Sequence, residues 1–472
     1  MRCSRTGLVL ITACVLVALA GCTSTATPPK SSDYDKGYKL GMEAYTYGLP
    51  LLVTNTTFLT MTSVNVSQGA YGPVNQFNNV RGVNTASSKA VVAPGSTGLS
   101  SIAWLDLTSE PQVLHVPEVK DHIFVLALID PYTENIQNFG SASNTAPGDY
   151  VIAGPGQQDA TIPAGAQRFD VDYSRIWIIG STQLKGPQDV ATVNQIQDGY
   201  TLTPLSKYGT EYKPPVPTQA ETSATVFAMP TGMAFYDTLG EQLKLFPPPA
   251  ADDAQLKKLA EVGIGPGTTP STDSKLSSET VRGLTDAVAA GSAQIGKDTK
   301  KLFADGFDKH NGYLLGGFGN YGRDYTLRAV VSQVGLGAFV SEQAMYAMSW
   351  SDHDKTALTG STEYVLHMAS PPPVTEGWSL TVYGLTGALM ANPLNRYAFS
   401  NTSTLTANAD GSIDFYLQST EPTDSAKVSN WLPVEEGQGF EVMWRFFAPP
   451  VDKIDGILDG SGWQPPAIQP AK

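Results

Sequence analysis

The period of hydrophobic and polar positions changes along the chain. Between Asp33 and about Leu49 it is helical: Tyr38, Met42, Tyr45 and Leu49 form one stripe, and Leu40, Ala44, Tyr47 and Leu51 a second beside it. Two adjacent stripes make a wide apolar face. A well-buried helix is therefore expected, capped by Ser32 or Asp33, with Asp35 near the positive end of its dipole. From about 90 to 183 the period becomes that of strands. Gln112–Val116 alternates, whereas His122–Asp130 (HIFVLALID) and Arg175–Ile179 (RIWII) are apolar on both alternating sets. Such strands are buried on both faces, which predicts a sheet with a second layer on each side. A short helix starts at Gly186-Pro187-Gln188-Asp189, with proline in its first turn, and ends near Asp198-Gly199.

Pro204, Pro214, Pro215 and Pro217 mark a connector and a domain boundary. Beyond it, Met233–Phe246, Ala254–Val262 and Glu279–Phe303 read as helices. Pro247-Pro248-Pro249 and the break Gly263-Ile264-Gly265-Pro266-Gly267 punctuate them. From Gly312 the chain is rich in glycine and aromatic residues and then β. Trp378, Leu380 and Val382 alternate with Ser379, Thr381 and Tyr383. Ile413, Phe415 and Leu417 alternate with Asp414, Tyr416 and Gln418. Tyr364, Leu366 and Met368 share a face opposite Val365 and His367. Half-buried alternation of this kind, with the turn signal Asp410-Gly411, predicts an antiparallel sandwich.

At 472 residues, and roughly 150 per domain, two or three domains are expected. Charged residues are 16% of the chain, below the roughly 25% of average domains, and the net charge is −14. Phosphate contacts need clustered Lys and Arg, and no such cluster exists, so a nucleic-acid partner is excluded. At the start, Arg2 and Arg5 precede an apolar stretch from Leu8 to Ala20 that is too short for a membrane span and suits a secretion signal. It ends in Leu19-Ala20-Gly21-Cys22, which resembles the bacterial lipobox. That resemblance implies a signal peptide over 1–21, acylation of Cys22 as an anchor to the lipid bilayer, and a small polar tether over 22–33. Cys3 and Cys14 fall inside the signal. The mature chain of 451 residues, with charge −16, is then left without free thiol, thiolate metal site or disulfide. The body divides into an N-terminal β domain with its helix (34–215), a helical module (216–311) and a C-terminal β domain (312–472).

The ordered strings AYTYGLP (44–50), SSIAWLDL (100–107), EPQVLHVP (110–117), GDYVIAGPG (148–156), RIWIIGST (175–182), QDGYTLTPLS (197–206), GIGPG (263–267), GNYGRDYTLRA (319–329), VGLGA (334–338), WSLTVYG (378–384), NPLNRYAFS (392–400), NADGSIDFYLQ (408–418) and NWLP (430–433) together resemble a bacterial family. It pairs the domain of unknown function 1254 with the domain of unknown function 1214. The resemblance covers nearly everything after residue 33. It implies a mainly β fold: an Ig-like sandwich, a helical insert and a C-terminal jelly-roll-like sandwich. The family has no agreed activity. Two departures stand out. Where members read Asn-x-Phe-x-His-x-Arg, this chain has Asn75-Gln76-Phe77-Asn78-Asn79-Val80-Arg81, with Asn79 at the His position. Where they read Asn-x-Asp-Thr-Leu-Tyr, it has Gly95-Ser96-Thr97-Gly98-Leu99-Ser100. If the family's polar site uses that His and that Asp, this chain lacks a titratable pair, which weighs against acid–base catalysis.

Among His115, His122, His310, His353 and His367 there is no HExxH pair, and the chain has no G-x-S-x-G elbow, Walker A loop or dinucleotide fingerprint. Asp352-His353-Asp354 could ligate a hard cation, but the family resemblance implies a hairpin turn there whose acids serve the backbone; Glu435-Glu436 reads as loop neighbours rather than a glycosidase pair. No metal and no cofactor is expected. Two polar–aromatic clusters remain: Tyr321, Arg323, Tyr325 and Arg328, and Asn392, Asn395, Arg396 and Tyr397 with Asn430 and Trp431. Such residues satisfy sugar hydroxyls and stack on flat rings, but they also lock loops and interfaces. Tyr45, Tyr47, Asn75, Arg81 and Tyr132 form a weaker set read as core. Three readings stay open: an envelope protein binding a glycan or other small polar ligand, or acting as a scaffold; an extracytoplasmic hydrolase or lyase; and a homo-oligomerisation module.

Overall fold

The computed structural model describes residues 31–88 and 93–471. The expected signal peptide, Cys22 and the tether as far as Lys30 lie outside the described residues. Helix α1 (Ser32–Met61) is capped by Ser31, one residue before the expected caps; its Oγ accepts from the Tyr34 N–H at 3.2 Å. The helix also runs on past Leu49, through Pro50. An interior proline costs about 3 kcal/mol, and each leucine fully buried returns about 1.5–3 kcal/mol. Leu49, Leu51 and Leu52 around it are all buried, so packing outweighs the lost hydrogen bond.

The first β unit contains β1 (Asn78–Asn79), β2 (Gly98–Asp106), β3 (Gln112–Val116), β4 (Phe124–Ile129), β5 (Asn135–Gly140), β6 (Gly148–Ala153), β7 (Gln167–Asp170), β8 (Arg175–Gln183), α2 (Val190–Gly199) and β9 (Thr201–Pro204). Its sheets have the orders β1-β2-β8-β4-β5 and β7-β6-β3-β9. The burial expected of β4 and β8 is what the structure has. Leu126, Leu128, Ile176 and Ile178 pack toward Leu114 and Ile152 of the second sheet. Ala127, Ile129 and Trp177 pack the other way, with Phe339 and Ala344 from the C-terminal half. The first sheet is therefore an inner layer.

Helices α3 (Met233–Leu245), α4 (Asp253–Ala260) and α5 (Ser278–Phe307) follow the expected spans closely. Their apolar faces join α1 and the first sandwich in one continuous core, with Tyr47, Phe235, Leu239 and Leu284 at its centre. The helix of the N-terminal unit and the helices expected as a module thus share a single layer.

The second β unit comprises β10 (Leu314–Gly316), α6 (Tyr325–Val334), β11 (Ala344–Ser349), β12 (Tyr364–Met368), β13 (Gly377–Gly384), β14 (Ala398–Ser400), β15 (Ile413–Gln418), β16 (Trp431–Pro433), β17 (Phe440–Phe447), α7 (Val451–Asp459) and β18 (Ile468–Pro470). Its sheets run β10-β11-β17-β13-β14 and β16-β15-β12-β18. Trp378, Phe415, Trp444 and Phe446 fill the space between them. The fold is mainly β with helical segments in the middle, as expected. One strand departs from its reading. Ser379, Thr381 and Tyr383, the polar set of β13, are not solvent-facing but 1%, 1% and 0% exposed. They lie on the face of the second inner sheet that turns toward the first sandwich, which covers them. Among the described residues no helix is long and apolar enough to cross a membrane.

Trp444 is fully buried, with ring neighbours Trp378 at 5.5 Å and Phe415 at 5.7 Å. Trp444→Ala is expected to cost about 3–5 kcal/mol in urea unfolding. A loss under 1 kcal/mol would show that this ring does not hold the second sandwich together.

Candidate functional site

The residues singled out in the sequence fall into two sets that spend their polar groups separately. Asn392 closes a loop on itself: Oδ1 accepts from the N–H groups of Leu394 and Arg396, and Nδ2 donates to the carbonyls of Met390 and Arg396. Arg396 Nη1 donates to the carbonyls of Val428 (2.8 Å) and Trp431 (3.0 Å). The Tyr397 hydroxyl donates to Asn395 Oδ1 at 2.9 Å, and Asn395 sits in the left-handed region at φ 49°. Buried Asn430 donates to the carbonyls of Thr406 and Asp414 and accepts from the Thr406 N–H. Trp431 Nε1 donates to the Gln418 carbonyl. Asn392, Arg396, Asn430 and Trp431 thus stitch the backbone at one end of the second sandwich, and Asn395 and Tyr397 bond each other beside them.

The other set forms a junction between the two β units. Buried Arg328 donates through Nη2 to Glu134 Oε1 at 2.8 Å and to the Gly322 carbonyl. Glu134 Oε2 accepts from the Tyr321 N–H at 2.8 Å. Beside it, Asn135 donates from its backbone to Gly319 and accepts on Oδ1 from the Val340 N–H. The turn that presents Glu134 holds Thr133 at φ 64° and is braced by Asp130, whose Oδ1 accepts from the N–H groups of Tyr132 and Glu134. Burial pushes Asp130 up to about 7. Burial also raises Glu134, against the pull of Arg328. Two further guanidinium nitrogens of Arg328, Nε and Nη1, are buried without a hydrogen-bond partner among the described residues, while the rings of Tyr325 and Tyr132 lie 5.7 and 5.9 Å from its Cζ. Tyr325 and Tyr47 donate to the two oxygens of Asp252, and Arg323 is exposed. Tyr45, Tyr47 and Tyr132 are buried in the core; Asn75 bonds Asp106, and Arg81 pairs with Asp198. Asp352 serves its own turn, accepting from Asp354 and Thr356.

None of these residues lines the space where the two inner sheets face each other. That space is a cavity of about 180 Å³. One wall is the face of β2 and β8 carrying Ser100, Ile102, Trp177 and Ile179. The opposite wall carries Tyr346, Met443 and Arg445, and the end of α6 with the segment 335–339 after it closes one side. Strand alternation explains the wall: Gly98, Ser100, Ile102 and Trp104 share one face, paired with Gln183, Ser181, Ile179 and Trp177. Trp104 and Trp177 stack at 4.7 Å. Room is left where side chains are small, at Gly95, Thr97, Gly98 and Ser100. That is the stretch whose departure from the family pattern the sequence displays.

Arg445 is the one charged residue among the described residues lining the cavity. Its Nη1 donates to the Tyr383 hydroxyl at 2.8 Å and its Nη2 to the Ala93 carbonyl at 2.6 Å. The same hydroxyl donates to the Pro94 carbonyl. Among the described residues no carboxylate lies within ion-pair distance of Arg445. Glu441, on the same strand, is pushed up to about 7 by burial.

Residues 74–204 match the family described as protein of unknown function DUF1254, and residues 343–451 match DUF1214. The chain therefore carries this pair of domains in the order its motifs lead one to expect. Its fold is similar to that of the VPA0106 protein of Vibrio parahaemolyticus, at 22% identity over 92% of this chain and 100% of that one, with a TM-score of 0.65. A protein from Burkholderia cenocepacia described as uncharacterised is 13% identical over 93% of this chain and 94% of that one, with a TM-score of 0.42. No curated protein matches the sequence.

Two outcomes follow. Gly337 has φ +76°, and a Cβ there would overlap Ile179 Cδ1 of the inner sheet. Gly337→Val is expected to destabilise the protein by roughly 2–4 kcal/mol in urea; an unchanged midpoint would refute the close approach. Asp130 titrates higher folded than unfolded. Between pH about 4 and 7 the unfolded chain has lost a proton that the folded chain keeps, so Asp130's contribution makes stability fall as pH rises, levelling off above 7. Asp130→Asn is expected to remove a fall of the order of a few kcal/mol between pH 4.5 and 7.5. An identical pH profile in the variant would contradict the burial of this carboxyl.

Proposed function

We propose that this is a cell-envelope binding protein that takes one small apolar molecule, or the apolar part of a larger one, into the cavity between its two sandwiches. The observation that carries the reading is the cavity: apolar walls, contributed by both β units, around a space left by small residues. An apolar cavity of roughly 150 Å³ is enough to hold benzene. The clusters expected to hold a glycan spend their hydrogen bonds on loop backbone and on the inter-unit junction. This moves the ligand class from sugars to apolar molecules. The hydrolase or lyase reading gains no support at the cavity, because no Asp, Glu, His or Lys is among its described lining residues.

Thermal shift with benzene, toluene and cyclohexanol tests this. At a hundredfold excess over Kd, binding stabilises by about 2.7 kcal/mol. Ser100→Leu and Val334→Phe, which fill the cavity from two different sides, are expected to abolish the shift while remaining folded. No shift in the parent, or an equal shift in both variants, would contradict the proposal.

The envelope location rests on the sequence of the first 22 residues, with Cys22 as the acylated anchor. Cys22→Ala is expected to move the protein from the membrane to the soluble fraction. Membrane retention of that variant, with no acyl chain found on the parent by mass spectrometry, would refute lipidation.

A further inference from the structure

We infer that the molecule held in the cavity is an amphipathic monoanion, a small carboxylic acid whose carboxylate sits on Arg445 and whose apolar body lies between Ile102 and Met443. This rests on the binding reading above and names its ligand class. A guanidinium drawn out of water is costly unless an anion compensates it. Arg445 stands on β17 with Tyr346 and Ser379 as its cross-strand neighbours and lines the cavity between the two inner sheets. It is half-buried, yet its described partners are neutral: one phenol and one backbone carbonyl. Those two bonds use one N–H of Nη1 and one of Nη2, leaving Nε–H and the remaining two hydrogens of the five-donor fork.

The groups around it favour an anion. Burial raises Tyr383 and Tyr346 above their ordinary value, so both stay neutral. Glu441, four residues along the strand, is raised to about 7 by burial against the pull of Arg445, and among the described residues it makes no ion pair with that guanidinium. On a protein of net charge −14 such an uncompensated cation is a local feature and not part of a basic surface. A carboxylate suits the planar guanidinium better than a hydroxyl does, because it accepts two parallel charge-assisted bonds. The remaining walls of the cavity suit hydrocarbon.

The test compares acids with isosteric alcohols on the full chain by calorimetric titration: hexanoate against 1-hexanol, and benzoate against benzyl alcohol. Each acid is expected to bind at least tenfold more tightly than its alcohol. Within the alkanoates each added methylene is expected to tighten binding about fourfold until the cavity is full. Arg445→Gln, which keeps donors and loses the charge, is expected to bring the acid to the affinity of the alcohol and leave the alcohol unchanged. Unchanged alcohol binding shows that the Gln variant is folded, and Arg445→Lys is expected to restore part of the preference because it restores the charge. If acid and alcohol bind equally, or if Arg445→Gln leaves the preference intact, the monoanion inference is overturned while the cavity reading stands. If neither class binds, both fall.

Discussion

The inner sheet of β2, β8 and β4 has hydrocarbon on both faces, and the architecture follows from the need to cover both. One face is buried by β3, β6 and the helices. The other needs a second sandwich, supplied by β11, β17 and the segment after α6. Apolar surface removed from water is worth about 25 cal/mol per Å², so a face bearing Ile102, Trp104, Ile129 and Trp177 would be costly to leave open. The Glu134–Arg328 pair and the hydrogen bonds beside it set the register of this docking; the rings supply its driving force. A buried ion pair adds little net stability against hydrocarbon, but removing one partner strands the other charge.

Much of this was legible in the residues. HIFVLALID and RIWII lack polar alternation, and only a sheet covered twice can accept them. Helices α3, α4 and α5 were readable from spacing and from their Pro and Gly stops. The polar set of β13 was misleading. Ser379, Thr381 and Tyr383 follow the alternation of a solvated face, but here that face meets another domain, and alternation does not say what covers it. Pro50 misled for a related reason: local propensity predicts a stop, and tertiary packing carries the helix through. The partner of Arg328 lies 194 residues away, a distance over which periodicity is silent.

The site was less legible than the fold. Arg, Asn and Tyr motifs drew attention because they resemble ligand-binding chemistry. In the structure Arg396, Asn392 and Asn430 do for loops what such residues often do, satisfying carbonyls and amides that have no strand partner. The cavity instead depends on what is small: Gly95, Thr97, Gly98 and Ser100 on one wall. A gap has no sequence motif of its own. It shows as a departure from a pattern, and its meaning emerges only when the opposite wall is in place.

Two apolar walls, one cation without an ion-pair partner among the described residues and an anchor expected at Cys22 support the proposed role, in which the protein holds a small amphipath close to a membrane. The most direct measurement is a crystal structure of the protein grown with 4-bromobenzoate, using bromine anomalous scattering to locate the ligand. A bromine peak between Ile102 and Met443, with the carboxylate on Arg445, is the result this account requires. Bromine peaks confined to other sites, with the seam filled only by ordered water, would contradict it.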